Sequence, residues 1–526
     1  MTPDAALNPL EETRLTQPPS TAGMTTKVVK GSIWTLAGSV LPLAVSFVAT
    51  PFVIRFLGTE AYGVLLLVGL IPTYFSFADF GMGVASTKFA SEAYAQGDSR
   101  KEAGVVWTAT FIALVTSFLV AIPIFIFSAK IIPAFNVPEH LQSQATVALR
   151  IATGGFVLGI LASVMNSPML SRLRMELNTI TSTVPKVLLA AITPIILYFG
   201  GGIVEAVSWA FIAGIIGFAG VLYFSIRLLP ALLVPTFDRA FLPGLVRVGG
   251  SLVISGVAAV LLVNSEKLIL VRVTSVETLA YYGIASTLAG MAIMFGTAMH
   301  QSLVPAFSQL LDPAKREELD RLYTRTVRIN MIGMAPLFAT LFVISGPFFT
   351  LWAGPEFGLE STPPFYIMIV AVLFSLWAYV PVSLLIARGR TDILAKVYWL
   401  ELLPYLGLTA LLTAKFGAKG AALAWGGRVL FDTCVMTYLG SRISSLPIWI
   451  FRGQGLYLLG CLLLLALPAA VAAMSANLIN WSLLLLPLSL LAYSLVAWTQ
   501  LLHADERQWT RSRAAKIWEQ LPRFGM

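Results

Sequence analysis

RFLGTEAYG (Arg55–Gly63) closes one membrane-length apolar run, and VRVTSVETLAYYG (Val271–Gly283) closes another. Tyr62-Gly63 and Tyr282-Gly283 stand 220 positions apart. A second set lies deeper in each half, where Gly201, Ala206 and Trp209 return as Gly417, Ala422 and Trp425, each displaced by 216. Two anchors with nearly one offset imply a duplicated unit of roughly 210 residues. Duplication inside a membrane protein commonly gives two bundles with a substrate path between them.

The composition requires a bilayer. The 526 residues are 57% hydrophobic and 12% charged, with a mean hydropathy of +0.82, outside the range of soluble globular chains. Apolar runs of about 20 residues cross a ~30 Å hydrocarbon core as helices. The alternating pattern of a membrane β-barrel is absent from the sequence. Segmenting the chain gives about 14 spans. That model places about 27 of the 35 basic residues on one side and about seven on the other. Both termini are therefore expected in the cytoplasm. The net charge of +9 then reflects membrane topology rather than nucleic-acid binding. The polar opening, with Pro18-Pro19, lacks the apolar core of a cleaved signal peptide.

The expected fold is an all-α polytopic membrane protein with about 14 transmembrane helices. Both repeats begin by running outward, so the two six-helix bundles should be related by a pseudo-two-fold axis along the membrane normal. The expected organisation is a cytoplasmic tail at 1–30, bundles at 31–235 and 240–440, two added spans at 441–502, and a basic cytoplasmic tail at 503–526.

Searches for enzymatic signatures return nothing. No Gly-rich phosphate loop ends in Lys-Ser/Thr. His140, His300 and His503 are too scattered for a metal centre or a triad, and Cys434 and Cys461 build neither a disulfide framework nor a metal site. Paired acids suited to glycoside chemistry are missing from the loops. No catalytic residue, cofactor or metal is expected, and the chain reads as a carrier rather than an enzyme.

A charge near mid-bilayer is costly unless it is paired or faces water, so each one is a candidate site. Asp79 lies in the second span, and the repeat offset carries it to Met299 and His300 in the eighth. Two readings stand for Asp79, a gating group facing the cavity or a local cap; His300 reads as a gate partner or a packing residue. Glu266 and Lys267 are adjacent and point about 100° apart on a helix. Lys267 fits either a compact cation for a phosphate or a snorkelling interface residue. Arg55 and Arg272 occupy matching places before the turn in each half, as interface anchors or head-group contacts. Arg428 and Asp432 differ by four and can pair, whereas the first repeat has Ile212 and Ile216 at those positions. Glu401 is a lone acid beside Pro404, suited to a proton or cation. Lys267, Arg428, Arg55 and Arg272 are thus the substrate-binding candidates. Asp79, Glu266, Glu401, His300 and Asp432 are the candidates for ion coupling or gating.

Several segments resemble a known family. GSIWTLAGSVLPLAVSFVATPFVIRFLGTEAYG and FADFGMGVASTKFASEAYAQGD are similar to the opening of the polysaccharide-transporter (Wzx-type flippase) branch of the multidrug/oligosaccharidyl-lipid/polysaccharide exporters. NSEKLILVRVTSVETLAYYGIAS, SLVPAFSQL and GAKGAALAW continue the likeness in the second half. One departure is Glu266, where many relatives carry aspartate. The resemblance implies transport of an undecaprenyl-pyrophosphate-linked oligosaccharide across the bacterial inner membrane. The implied partners are membrane lipids, a coupling H+ or Na+, and polysaccharide polymerase or export machinery, with no nucleic acid. A multidrug antiporter of the same superfamily and a flippase of the peptidoglycan lipid precursor are the alternatives. Both fit less well: span one contains neither the acid of the antiporters nor the basic residues of the precursor flippases, being uncharged from Gly31 to Ile54.

Overall fold

The computed structural model describes residues 21–444, 455–474, 481–504 and 506–508. Among these residues the regular structure is helical throughout. In chain order the α-helices are α1 (Thr21–Leu57), α2 (Thr59–Thr73), α3 (Met82–Ala95), α4 (Ser99–Ile131), α5 (Glu139–Met165), α6 (Ser167–Ser171), α7 (Met175–Tyr198) and α8 (Ile203–Leu228). They continue as α9 (Leu242–Val273), α10 (Val276–Ser308), α11 (Arg316–Ala353), α12 (Pro355–Glu360), α13 (Thr362–Ala387), α14 (Thr391–Ser444), α15 (Gly455–Met474) and α16 (Trp481–Val496). Helix α1 begins at Thr21, inside the stretch the sequence assigns to a tail, and the chain beyond Gln508 lies outside the described residues.

Eleven helical segments among the described residues are long and apolar enough to cross a membrane, against about 14 expected. The difference lies in three places. Helices α9 and α10 are 32 and 33 residues long but are not among the eleven. Helix α14 is counted once although its backbone breaks at Gly417, where φ is 55° and ψ is −132°. That left-handed φ is open to glycine at no steric cost and folds α14 into two arms. Gly201, its counterpart 216 residues earlier, sits in the turn between α7 and α8. Element starts repeat as well: Thr59, Ser99, Glu139 and Met175 open helices whose counterparts open at Val276, Arg316, Thr362 and Thr391, offsets of 216 to 223.

The chain forms two compact units, Met1–Ala280 and Tyr281–Met526. Helix α9 packs within the first unit, against α3, against the 3-10 turn Ser76–Asp79 and against the turn Pro133–Phe135. Two close approaches fix it. A Cβ on Gly249 would collide with the Phe80 carbonyl, and a Cβ on Gly63 would collide with the carbonyl of Val276, just past the end of α9. Glycine at position 63 of the quoted motif thus serves backbone packing.

The end of α9 is also hydrogen-bonded across the chain. The Asn136 amide donates to the carbonyls of Arg272 at 2.9 Å and Thr274 at 3.0 Å. The Arg272 guanidinium in turn donates to the Ala134 carbonyl. These contacts supply partners for carbonyls that a helix C-terminus leaves unpaired. At the other end of the first unit, Glu102 and Arg172 form a buried bidentate pair, with N···O distances of 2.5 and 3.0 Å. The Arg172 guanidinium also lies over the Tyr94 ring, 4.5 Å from its centroid. This pair ties the start of α4 to α6.

Two outcomes follow for purified protein unfolded by heat in detergent. Gly63→Ala should cost about 1–3 kcal/mol through backbone displacement, lowering the midpoint. Gly159→Ala, with nothing within 4 Å of the added Cβ, should leave it unchanged or raised. Glu102→Ala should cost about 3–5 kcal/mol by stranding a buried guanidinium, and Glu102→Leu with Arg172→Met should restore most of that loss. A double variant no more stable than the single one would show that the pair is not acting as a unit.

Candidate functional site

Five helices of the first unit surround a cavity of about 990 Å³. Each contributes one stripe at helical spacing: Leu43, Ser46 and Thr50 from α1; Tyr62, Leu66 and Gly69 from α2; Ala152, Gly155 and Gly159 from α5; Lys186, Ala190 and Thr193 from α7; Ala206, Ala210 and Gly214 from α8. The lining is mainly apolar, with small residues on α5 and α8 opening the space. Its volume stands at the upper end of the ~300–1,000 Å³ common for ligand sites. Asp79 and Lys186 are the charged residues of the wall.

Asp79 lies where the second span breaks. Helix α2 ends at Thr73, a 3-10 turn follows at Ser76–Asp79, and Phe80 and Gly81 adopt left-handed φ of 53° and 65° before α3 begins. The Asp79 carboxylate accepts from the Gly81 N–H at 2.8 Å, so it helps satisfy the backbone where the helix is interrupted. The geometry holds elements of both sequence readings, since Asp79 caps the break and also lines the cavity. Lys88, nine residues on, lies over the Phe89 ring, 5.3 Å from the centroid. His300 falls within α10, and its side chain lies outside the described residues.

The second unit gathers charges that the sequence reading kept apart. Glu401 on the first arm of α14 and Arg428 on the second form an ion pair at 3.6 Å, with side-chain exposures of 2% and 14%. Glu401 is therefore not a lone acid. The ion pair that the spacing assigned to Arg428 and Asp432 goes instead to Glu401, because the break at Gly417 lays the two arms side by side. Asp432 stands next to both groups and completes the cluster. Tyr405 sits 5.5 Å below the Arg428 guanidinium, while Tyr398 and Tyr379 lie close to the carboxyls. Both Glu401 oxygens and Asp432 Oδ1 are buried without a hydrogen-bond donor among the described residues. Two carboxyls thus face one guanidinium in this cluster.

The other proposed groups are dispersed. Glu266 is buried at 2% exposure beside Tyr74 and Ser265, whereas Lys267 is half-buried and donates to Asn264 at 3.3 Å. Their separation into two environments follows from their adjacency on a helix. Arg272 belongs to the α9 clamp, and Arg55 is exposed in the last turn of α1. None of Arg55, Lys267, Arg272 and Arg428 lines the cavity.

Sequence reasoning passed over the cation that does. Lys186 is the twelfth of the 24 residues of α7, in Thr183-Val184-Pro185-Lys186-Val187. No hydrogen bond or ion pair holds its ammonium among the described residues. The available signal was a lysine in the middle of an apolar run. It was hidden because topology counting absorbs such a residue into the basic side. Among the described residues no group of three or more His, Cys, Asp or Glu is arranged to hold a metal ion.

Comparisons with known proteins agree with this architecture. Residues 28–311, more than half of the chain, match the family described as polysaccharide biosynthesis protein. A Shigella flexneri protein named for O-antigen transport is 21% identical over 422 residues, which cover 80% of this chain and 99% of that relative. The lipid II flippase MurJ in an inward closed conformation superposes with a TM-score of 0.67 at 13% identity, over 89% of this chain and 98% of that one. An inward-facing multidrug-resistance MATE family transporter of the MOP superfamily superposes at 0.64, also at 13% identity, over 78% and 98%. At such identities the structural likeness is one of fold. With an all-helical body carrying eleven membrane-length segments among its described residues, the chain belongs to the polysaccharide biosynthesis protein family.

Proposed function

We propose that this transporter flips an undecaprenyl-pyrophosphate-linked oligosaccharide across the bacterial inner membrane, by alternating access, for surface or exopolysaccharide synthesis. The observation that carries this reading is the likeness to a relative named for O-antigen transport over 99% of that relative's length. Several features support it. The cavity is large, lies in the membrane-spanning part of the first unit, and mixes apolar walls with hydroxyls and one cation. The excess of basic residues on one side of the spans supports cytoplasmic termini. Polymerase and export machinery would receive the flipped product at the outer face.

The cluster of Glu401, Arg428 and Asp432 is the coupling site in this reading. Burial makes its surplus negative charge expensive. Uptake of one H+ or Na+ therefore changes which arrangement of the two α14 arms is stable. Asp79 and Arg272 serve the frame, through the α3 cap and the α9 clamp. Arg428 holds the two acids together rather than meeting the substrate.

Deleting the gene should trap lipid-linked oligosaccharide in the inner leaflet and abolish the surface polymer, as read by leaflet-selective labelling. Normal surface glycan combined with altered solute efflux would reverse the assignment in favour of a drug antiporter. Glu401→Gln should leave a folded protein in which polymer export falls by about tenfold or more and an imposed proton or sodium gradient no longer stimulates flipping in proteoliposomes. Full gradient-driven flipping by that variant would remove the cluster from the coupling mechanism.

A further inference from the structure

We propose that Lys186 is the phosphate anchor of the transporter: its ammonium, on the wall of the first unit's cavity, binds the diphosphate of a polyprenyl-linked substrate. The inference rests on the flippase reading for the identity of the lipid and on geometry for the site.

Lys186, Leu189, Ala190 and Thr193 form the stripe of α7 that lines the cavity, spaced i, i+3, i+4 and i+7. The lysine is thus directed by its helix position toward the space rather than toward neighbouring turns. It has about 17 Å of helix on either side, which puts it near mid-bilayer. A bare ammonium at that depth is stable only if it meets water or an opposite charge. Asp79, the acid of the same wall, already accepts from the Gly81 N–H and forms no ion pair with Lys186.

The rest of the lining explains why an anion would settle at this residue. Thr50, Thr73 and Thr193 each donate their hydroxyl proton to a carbonyl of their own helix, at 2.7, 2.9 and 2.6 Å. Their oxygens are left as acceptors, which suit the hydroxyls of a sugar and repel phosphate oxygens. Ser46, Ser76 and Tyr62 add neutral hydroxyls to the wall, and Lys186 is its cationic donor, a compact charge able to turn its three N–H groups toward a diphosphate. The cavity therefore sorts an amphipathic ligand: phosphate to Lys186, sugar hydroxyls to the threonine oxygens, and apolar parts to the remaining walls.

The test uses the full-length protein in lipid nanodiscs, with geranylgeranyl diphosphate, geranylgeraniol and inorganic pyrophosphate as probes. The wild type should bind the diphosphate lipid about tenfold or more tightly than the alcohol. Lys186→Met should erase that preference while leaving alcohol binding unchanged, and Lys186→Arg should keep most of it. Should Lys186→Met fail to fold, Gly159→Leu provides the second reading. An added Cβ there meets nothing within 4 Å, and a side chain that extends into the cavity should weaken the diphosphate lipid by about tenfold, with the thermal midpoint read alongside to confirm folding. Unaltered diphosphate binding by Lys186→Met, or by Gly159→Leu where that variant stands in, overturns the proposal. Inorganic pyrophosphate binding as tightly as the lipid overturns the lipid assignment in favour of a soluble anion. The two readings separate cleanly. Loss of binding in Lys186→Met together with normal surface polymer in the deletion strain keeps the site and removes the flippase function. Wild-type binding by Lys186→Met together with trapped lipid-linked sugar in that strain does the reverse.

Discussion

A charge surrounded by hydrocarbon is stable only when something answers it, and this constraint decides the placement of the polar residues in the spans. The molecule uses three answers. Glu102 and Arg172 neutralise each other completely, with two short hydrogen bonds and an aromatic face over the guanidinium. Glu401, Arg428 and Asp432 balance incompletely, two acids against one cation. Lys186 faces the cavity, with no hydrogen bond or ion pair to its ammonium among the described residues. Stability requires the first arrangement, and the other two are costly unless a mobile ion or a ligand completes them.

The backbone obeys the same constraint. A helix in lipid satisfies its own hydrogen bonds, so every interruption needs outside partners. At the break between α2 and α3 the Asp79 carboxylate provides one, and two left-handed residues turn the chain back into a helix. At the end of α9 the Asn136 amide serves the Arg272 and Thr274 carbonyls. These polar groups could be mistaken for ligand contacts. Their hydrogen bonds tie them to the frame, whereas among the described residues no hydrogen bond holds the Lys186 ammonium or the Glu401 carboxylate oxygens.

Much of this was legible in the chain. Run length and composition specify an all-helical membrane protein because no other structure satisfies its backbone across a bilayer. The Gly201 and Gly417 pair marks a turn between helices in both halves, with the left-handed φ at Gly417 itself in the second half and at Gly200, one residue before Gly201, in the first. Partnerships were harder to read. Spacing of four joins Arg428 to Asp432 on one helix, yet Glu401 wins from the other arm because a tertiary contact, invisible to local spacing, brings it closer. The break at Phe75–Gly81 was also hidden. Pro72, Gly81 and Gly83 flank it, but membrane helices tolerate such residues without breaking.

Register adds the last step. Displaced by the repeat offset of 216, Glu401 falls on Pro185, one residue from Lys186. The same helix of the duplicated frame thus carries a cation in one half and an acid in the other, at register positions one residue apart. The flanking helix diverged with it: Arg428 and Asp432 in the second half stand where Ile212 and Ile216 lie in the first. In the second unit the added arginine meets the acid and the added aspartate overbalances it. In the first unit isoleucines provide no counter-charge, so the lysine remains open to the cavity. Duplication followed by opposite substitution therefore leaves a lysine on this helix in one half and an acid in the other, the asymmetry on which the proposed division between anionic cargo and coupling cation rests.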